Sequence, residues 1–257
     1  MELGVCCGPE LAQVAKDAGF AYIEMSVAGL LKPLEDEGAF QTAFAAVRAA
    51  ALPCRVVNCF IPGQLPITGP KADLAALRAY VTTTCKRAAE AGVDTIVFGS
   101  GGARRYPDGW DKAAGYRQLV EFGRMVAPIA AKAGVTIVVE PLNRTECNVL
   151  VTVQESADYV QTVDHPSFRL LVDGYHWGKD GDSGEAIVVN SALFRHTHIA
   201  TVAHRLAPAA EPCPELTPFI DRLREAKYTG RLSIEAGLGD APTTLPAAYQ
   251  ELRRLGA

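Results

Sequence analysis

Four residues in the C-terminal half of the chain have the types and spacing to hold a divalent cation: Glu140, Asp173, His198 and Glu235. Three close short, mostly apolar runs, Val-Thr-Ile-Val-Val-Glu140, Arg-Leu-Leu-Val-Asp173 and Arg-Leu-Ser-Ile-Glu235, and the fourth lies near the end of a strand containing His196-Thr-His198. A charge at the edge of an apolar strand loses solvation unless a partner compensates it. Three such runs that each close on a carboxylate therefore point to a shared counter-charge rather than to packing. Three carboxylates and one imidazole are mostly hard donors, a set that suits Mn²⁺, Mg²⁺ or Co²⁺ better than a thiolate site would, with Zn²⁺ also compatible. His196 and His198 lie two apart on one strand and share a face. His198, nearer the strand's end, is the expected ligand, and His196 a supporting or barrel-interior group. His165, in Asp-His-Pro ahead of a strand, is expected at the opposite rim.

These residues can converge only if the strands that carry them lie side by side. Runs rich in β-branched and apolar residues alternate along the chain with Ala/Leu/Arg-rich stretches of helical period. Strands are expected at 3–6, 22–25, 55–59, 95–98, 135–140, 169–173, 196–200 and 232–235. Helices are expected near 10–18, 38–50, 71–91, 111–133, 153–163, 184–190, 215–226 and 245–255. Such alternation implies βαβ units and a parallel sheet. Ala18-Gly19, Ala91-Gly92 and Ala133-Gly134 each close a helical pattern just before a strand, where Gly takes the left-handed stop position cheaply. Eight units close a barrel, whereas a doubly wound sheet favours fewer strands and a Gly-rich first turn, and no G-x-G-x-x-G or Walker loop follows the first strand. The expectation is an α/β fold, one (β/α)8 barrel over 1–257, with its chemistry at the C-terminal strand ends. Neighbouring strand ends are about 5 Å apart, so several side chains can reach one ion.

The composition fits that reading. The chain has 257 residues, 49% of them hydrophobic, enough for one large core. The net charge of −4 and the lack of a basic run interleaved with aromatics argue against a nucleic-acid partner. The start lacks a basic n-region and a cleavage site, and no apolar run is long enough to span a bilayer, so neither export nor a membrane partner is expected. Seven cysteines, an odd number without a C-x-x-C pair, suit reduced thiols in the cytoplasm, with Cys6 and Cys7 as small core residues.

The motifs Glu140-Pro-Leu-Asn-Arg-Thr-Glu146, Asp173-Gly-Tyr-His176, His196-Thr-His198-Ile-Ala, Arg205-Leu-Ala-Pro and Ser233-Ile-Glu235 follow one another in a distinctive order. With them the chain resembles the xylose-isomerase-like TIM-barrel superfamily of sugar isomerases and epimerases, which includes tagatose/psicose 3-epimerases and hydroxypyruvate isomerases. The likeness covers most of the chain and is strongest from Thr95 onward. It implies that Glu140, Asp173, His198 and Glu235 hold one divalent metal, with Mn²⁺ the expected ion. The metal would bind the adjacent carbonyl and hydroxyl oxygens of an open-chain sugar and stabilise an enediolate. Glu140 and Glu235 would remove and return the proton, giving epimerisation when the faces differ and isomerisation when the proton returns to the neighbouring carbon.

The same likeness implies that Glu146, His176 and Arg205 bind the substrate near the reacting carbons, with His176 on the loop over the mouth. His198 and Arg205 are seven residues apart where six are expected, so the loop ahead of Arg205 has one extra residue. Phe98-Gly-Ser-Gly-Gly-Ala-Arg-Arg105 resembles the loop after the fourth strand in some members. Arg104 and Arg105 would contact substrate there or form a solvated or interfacial pair. Trp110 and Trp177 would wall the pocket or pack on a helix, and Asn58 and Phe60 would line it. The partner implied is a small sugar, and the assembly a homodimer or homotetramer.

Three other readings compete with this one. A metal-dependent dehydratase of a keto-inositol or related hydroxy-ketone starts from the same proton abstraction and is compatible with the same ligands. A nuclease of the endonuclease-IV type needs a zinc cluster and histidines on early strands, but this chain has five histidines and none before His165. A non-catalytic sugar-binding barrel would be expected to have lost a ligand, and all four are present.

Overall fold

The computed structural model describes residues 1–209 and 213–257. Its eight strands are β1 (Glu2–Cys6), β2 (Tyr22–Ser26), β3 (Cys54–Asn58), β4 (Thr95–Phe98), β5 (Thr136–Val139), β6 (Phe168–Asp173), β7 (Phe194–Ile199) and β8 (Arg231–Ile234). They pair in parallel in chain order, and β1 also pairs with β8, which closes a barrel. Strands covered on both faces need apolar side chains on both, which is why β4 reads Thr-Ile-Val-Phe with every residue buried. The helices of the outer ring are longer. Leu74–Ala91 and Lys112–Lys132 start on Asp73 and Asp111, whose carboxylates accept backbone N–H groups of the first turn. Gly19, Gly92 and Gly134 take φ of +111°, +73° and +71° at the helix stops. Among the described residues no helix is long and apolar enough to cross a membrane.

The strand period of two builds the barrel interior in layers. The lower layer holds Tyr22, Val56, Val97, Val138 and Leu171, a separate apolar cluster. Tyr22 lies across the barrel, hydrogen-bonded to Ser233 Oγ at 2.9 Å and near the His196 ring. Gly4 completes this layer because a Cβ there would run into the Tyr22 ring. Two residues further along the same strands come Cys6, Glu24, Asn58, Gly99, Glu140, Asp173, His198 and Glu235. The apolar plug thus ends where a polar layer begins, and that layer faces the mouth.

Three short helices follow strands at this mouth: Val27–Leu30, Gly101–Arg104 and Gly174–Asp180. Runs of four to seven residues are too short to show a helical period. His176 therefore sits on a helix rather than on an open loop. That helix forms because Asp173 caps it, its Oδ1 accepting the Tyr175 N–H at 2.8 Å. The last helix begins a turn earlier than expected, at Ala241, because Pro242 in the first turn has no hydrogen-bonded N–H to lose. Strands β5 and β8 stop at Val139 and Ile234, one residue short of the expected ends, and leave Glu140 and Glu235 free to turn into the mouth.

Candidate metal centre

Glu140, Asp173, His198 and Glu235 come together, each offering a ligand atom within 4.8 Å of the others. His198 Nδ1 lies 3.1 Å from Glu140 Oε1 and 3.6 Å from Glu235 Oε2. Glu140, Asp173 and His198 are buried, and Glu235 keeps a small exposed edge toward the mouth. Among the described residues Asp173 Oδ2 is buried without a hydrogen-bond partner. A buried carboxylate oxygen left in that state is costly, and a cation among the four side chains would complete it. The donor set thus fits a hard divalent ion.

The charges agree with the geometry. Burial pushes the Glu235 carboxyl up to about 8, helped by Glu140 and Asp173 against the pull of His198 and Arg205. Burial also raises Asp173, with Glu140 adding to it and His176 opposing. Burial works against the charge on Glu140, but its hydrogen bond and attraction to His198 hold it below the usual carboxylate range. Burial likewise disfavours His198⁺, yet Glu24 and Glu235 lift that imidazole well above its ordinary value. Without a cation, the layer retains protons to offset its crowded carboxylates.

Glu24, absent from the expected site, stands directly behind this centre. It is fully buried in the middle of the polar layer. Its Oε1 meets His198 Nε2 at 2.9 Å and its Oε2 meets His196 Nε2 at 3.0 Å. A carboxylate only accepts, so Glu24 holds the Nε2 proton of His198, and Nδ1, which donates to Glu140 in the metal-free protein, is the nitrogen that can ligate a cation once it gives up its proton. This is how a carboxylate orients a metal-binding imidazole. His196 is a supporting residue, also touching Ser233 Oγ at 3.3 Å. The signal in the sequence was a carboxylate inside the apolar run Tyr-Ile-Glu-Met, the cue that marks the later strands. Cys6 also approaches Glu24 and His198. Burial and Glu24 push its thiol well up, so it stays protonated and is a poor ligand.

The structure places Glu146, His176 and Arg205 at one side of the centre. Arg205 Nη2 reaches Glu235 Oε2 at 2.6 Å, Nη1 reaches Glu146 Oε1 at 3.4 Å, and the guanidinium lies over the Tyr175 ring at 4.7 Å. Ahead of Arg205 the chain makes a tight turn: the Arg205 N–H bonds the Thr201 carbonyl, and φ at Arg205 is +52°. His176 is buried, with Nε2 3.6 Å from Asp173 Oδ2. Its Nδ1 meets Asn143, a second residue missing from the expected site.

Other expectations separate here. Arg104 does not face substrate. It is fully buried and donates to the carbonyls of Phe98, Glu140 and Leu150 at 3.0, 2.8 and 3.2 Å. The short helix after β4 turns it back into the wall, where it fixes the backbone that carries Glu140. Arg105 instead donates to the Glu146 carbonyl at 3.1 Å. Asn58 lines the mouth, 3.4 Å from Glu235 Oε1, whereas Phe60 belongs to a buried aromatic cluster with Phe98 and Phe122. Trp177 packs against Phe219. His165 Nδ1 accepts the Ser167 N–H in the turn before β6, a structural role. A cavity of about 340 Å³, lined by Cys6, Cys7, Gly8, Glu24, Met25, Ser26 and Asn58, adjoins the centre.

Residues 12–255 match the family of the xylose isomerase-like TIM barrel, and the chain belongs to that family. The D-psicose 3-epimerase of Agrobacterium fabrum is 27% identical to it over 239 residues, covering 89% of this chain and 78% of the relative. The D-psicose 3-epimerase of Ruminiclostridium cellulolyticum is 31% identical over 126 residues, which span 49% of this chain and 42% of that relative's length. A crystal structure of a D-psicose 3-epimerase in the presence of D-fructose superposes with a TM-score of 0.83, covering 100% of both chains at 22% identity, a likeness of fold.

Proposed function

We propose that the protein is a metal-dependent sugar isomerase, of the ketose epimerase or aldose–ketose isomerase type, that moves a proton at a carbon beside a carbonyl. The observation that carries this reading is the pair Glu140 and Glu235. They directly follow β5 and β8, on either side of the strands bearing Asp173 and His198, and both approach His198 Nδ1. Two carboxylates that flank one ion position from different sides can serve opposite faces of a bound carbon. The activity of the Agrobacterium relative supports the same class.

A divalent ion held by Glu140, Asp173, His198 and Glu235, Mn²⁺ by our reading, supplies Lewis-acid polarisation of the substrate oxygens. The side chains do the rest. One of Glu140 and Glu235 takes the proton from carbon and the other returns it. Arg205 holds Glu235 Oε2 at 2.6 Å and so orients that carboxylate. Glu146, His176 and Arg205 bind the substrate oxygens beside the reacting carbons. The apolar plug beneath the polar layer keeps bulk water from reaching the centre through the barrel.

The test is a screen of ketoses, aldoses and keto-inositols in D₂O, followed by NMR, with Mn²⁺ present. The expected result is deuterium at a carbon beside the carbonyl and an isomeric product. Loss of a β-hydroxyl would instead identify a dehydratase. Glu140→Gln and Glu235→Gln should each abolish exchange beyond their effect on metal content. A variant that exchanges normally would remove its residue from proton transfer.

A further inference from the structure

Asn143 touches both His176 and Glu146, and its hydrogen bonds fix what each of them offers to the centre. Its Oδ1 accepts the backbone N–H of Thr145 at 3.1 Å. A backbone N–H can only donate, so the oxygen end of the amide is fixed there, and the NH₂ end points the other way. That end reaches Glu146 Oε1 at 3.0 Å and His176 Nδ1 at 2.8 Å. The backbone N–H of Asn143 converges on the same His176 Nδ1 at 3.2 Å. Two donors on one ring nitrogen require its lone pair, so the ring proton resides on Nε2. His176 Nε2 is buried without a hydrogen-bond partner and lies 3.6 Å from Asp173 Oδ2, beside the centre.

We infer that Asn143 is a positioning residue that locks His176 as the Nε2–H tautomer and holds Glu146 beside it. Resting on the proposed function, His176 then meets a substrate oxygen as a hydrogen-bond donor, and neither takes a proton from substrate nor receives a hydrogen bond from it. Glu146 can only accept. An oxygen that satisfies both is a hydroxyl, accepting from His176 and donating to Glu146, so the pair selects a substrate with a hydroxyl beside its metal-binding oxygens. A ketose or aldose has one there. A ligand bearing a methyl or methoxy group at that position would leave Glu146 unmatched.

The first measurement is the long-range ¹H–¹⁵N spectrum of the whole ¹⁵N-histidine-labelled protein with Mg²⁺ added, the His176 signals being assigned by their loss in His176→Gln. The expected pattern is a single Nε2–H tautomer at His176. A proton on Nδ1, or a mixture of tautomers, would overturn the proposal without any variant of Asn143 having to fold. In Asn143→Asp a carboxylate faces Nδ1, and the expected outcome is a proton transferred to that nitrogen. An unchanged Nε2–H pattern in this variant would also overturn it. With a sugar that the wild type turns over, Asn143→Asp should lower kcat roughly 100-fold, the scale of losing one aligned donor, at unchanged metal content. An unchanged kcat would remove the positioning role. If no sugar reacts at all, the proposed function fails, while the tautomer measurement still decides the role of Asn143.

Discussion

Loading the centre with a divalent ion should release protons, and the structure gives their number and pH range. In the metal-free protein, burial, Glu140 and Asp173 push Glu235 up to about 8. Below that pH Glu235 holds a proton that it must surrender to become a ligand, so metal affinity rises with pH and levels off above it. At pH 7 a group titrating near 8 is about 90% protonated, so Glu235 contributes roughly 0.9 proton. His198, lifted well above its ordinary value mainly by Glu24 and Glu235 against burial, adds up to one more. Its Nδ1 must be bare for the ion while Nε2 keeps the proton aimed at Glu24. The release at pH 7 is therefore roughly one to two protons per chain, and affinity gains about tenfold per proton for each pH unit. Titration calorimetry in buffers of different ionisation enthalpy counts these protons directly. In Glu235→Gln the count should fall by about one. A release under roughly 0.3 proton at pH 7, or an affinity flat from pH 6 to 8, would refute the reasoning. The ion would then not be bound through Glu235 and His198.

Three substitutions probe the support behind the ligands. Glu24→Gln should weaken metal binding by about 10–100-fold in a chelator competition, with the fold intact by circular dichroism. Unchanged affinity would show that Glu24 does not act through His198. Arg104→Ala removes a donor from three buried carbonyls; those of Phe98 and Leu150 keep the N–H groups of Glu140 and Leu142, so the orphaned Glu140 carbonyl dominates and unfolding in urea should show a loss of about 1–3 kcal/mol. A loss below about 1 kcal/mol would mean that water replaces the guanidinium. Gly99→Ala places a Cβ against Glu140 Oε2, and this should cost about tenfold or more in metal affinity with little change in urea midpoint.

The convergence of Glu140, Asp173, His198 and Glu235 was legible in the sequence because a strand's period of two is rigid. Once a run is a barrel strand, an acid that ends it must face the mouth or the outer helices, and apolar neighbours exclude the second choice. Glu24 obeys the same rule but stands mid-strand, and its partners His196 and His198 are 172 and 174 residues away. Its meaning exists only once β2 and β7 face each other across a closed barrel. Asn143 lay within a motif, yet its work depends on how the helix after β6 presents His176, 33 residues on. Arg104 misled for the opposite reason. A Gly-rich turn before paired arginines suggests an exposed loop, but four residues of helix are enough to reverse the direction of one of them.

An imidazole can present either a lone pair or an N–H to a site, and the group behind it decides which. Behind His198 stands Glu24, which only accepts and keeps the Nε2 proton, so Nδ1 faces the centre, donating to Glu140 until an ion displaces its proton. Behind His176 stand the two N–H groups of Asn143, which only donate, so that ring turns its proton inward. With an ion bound, the two histidines would face one centre with opposite polarity, one suited to a cation and the other to an oxygen. Burying Glu24 has a large desolvation cost, which two imidazole partners offset. His196, one layer below and bonded to the second oxygen of Glu24, is needed for that balance although it offers no atom to the centre or the mouth. The candidate metal site thus depends on Glu24 and His196, behind it on β2 and β7, as much as on the four strand-end residues that would ligate the ion.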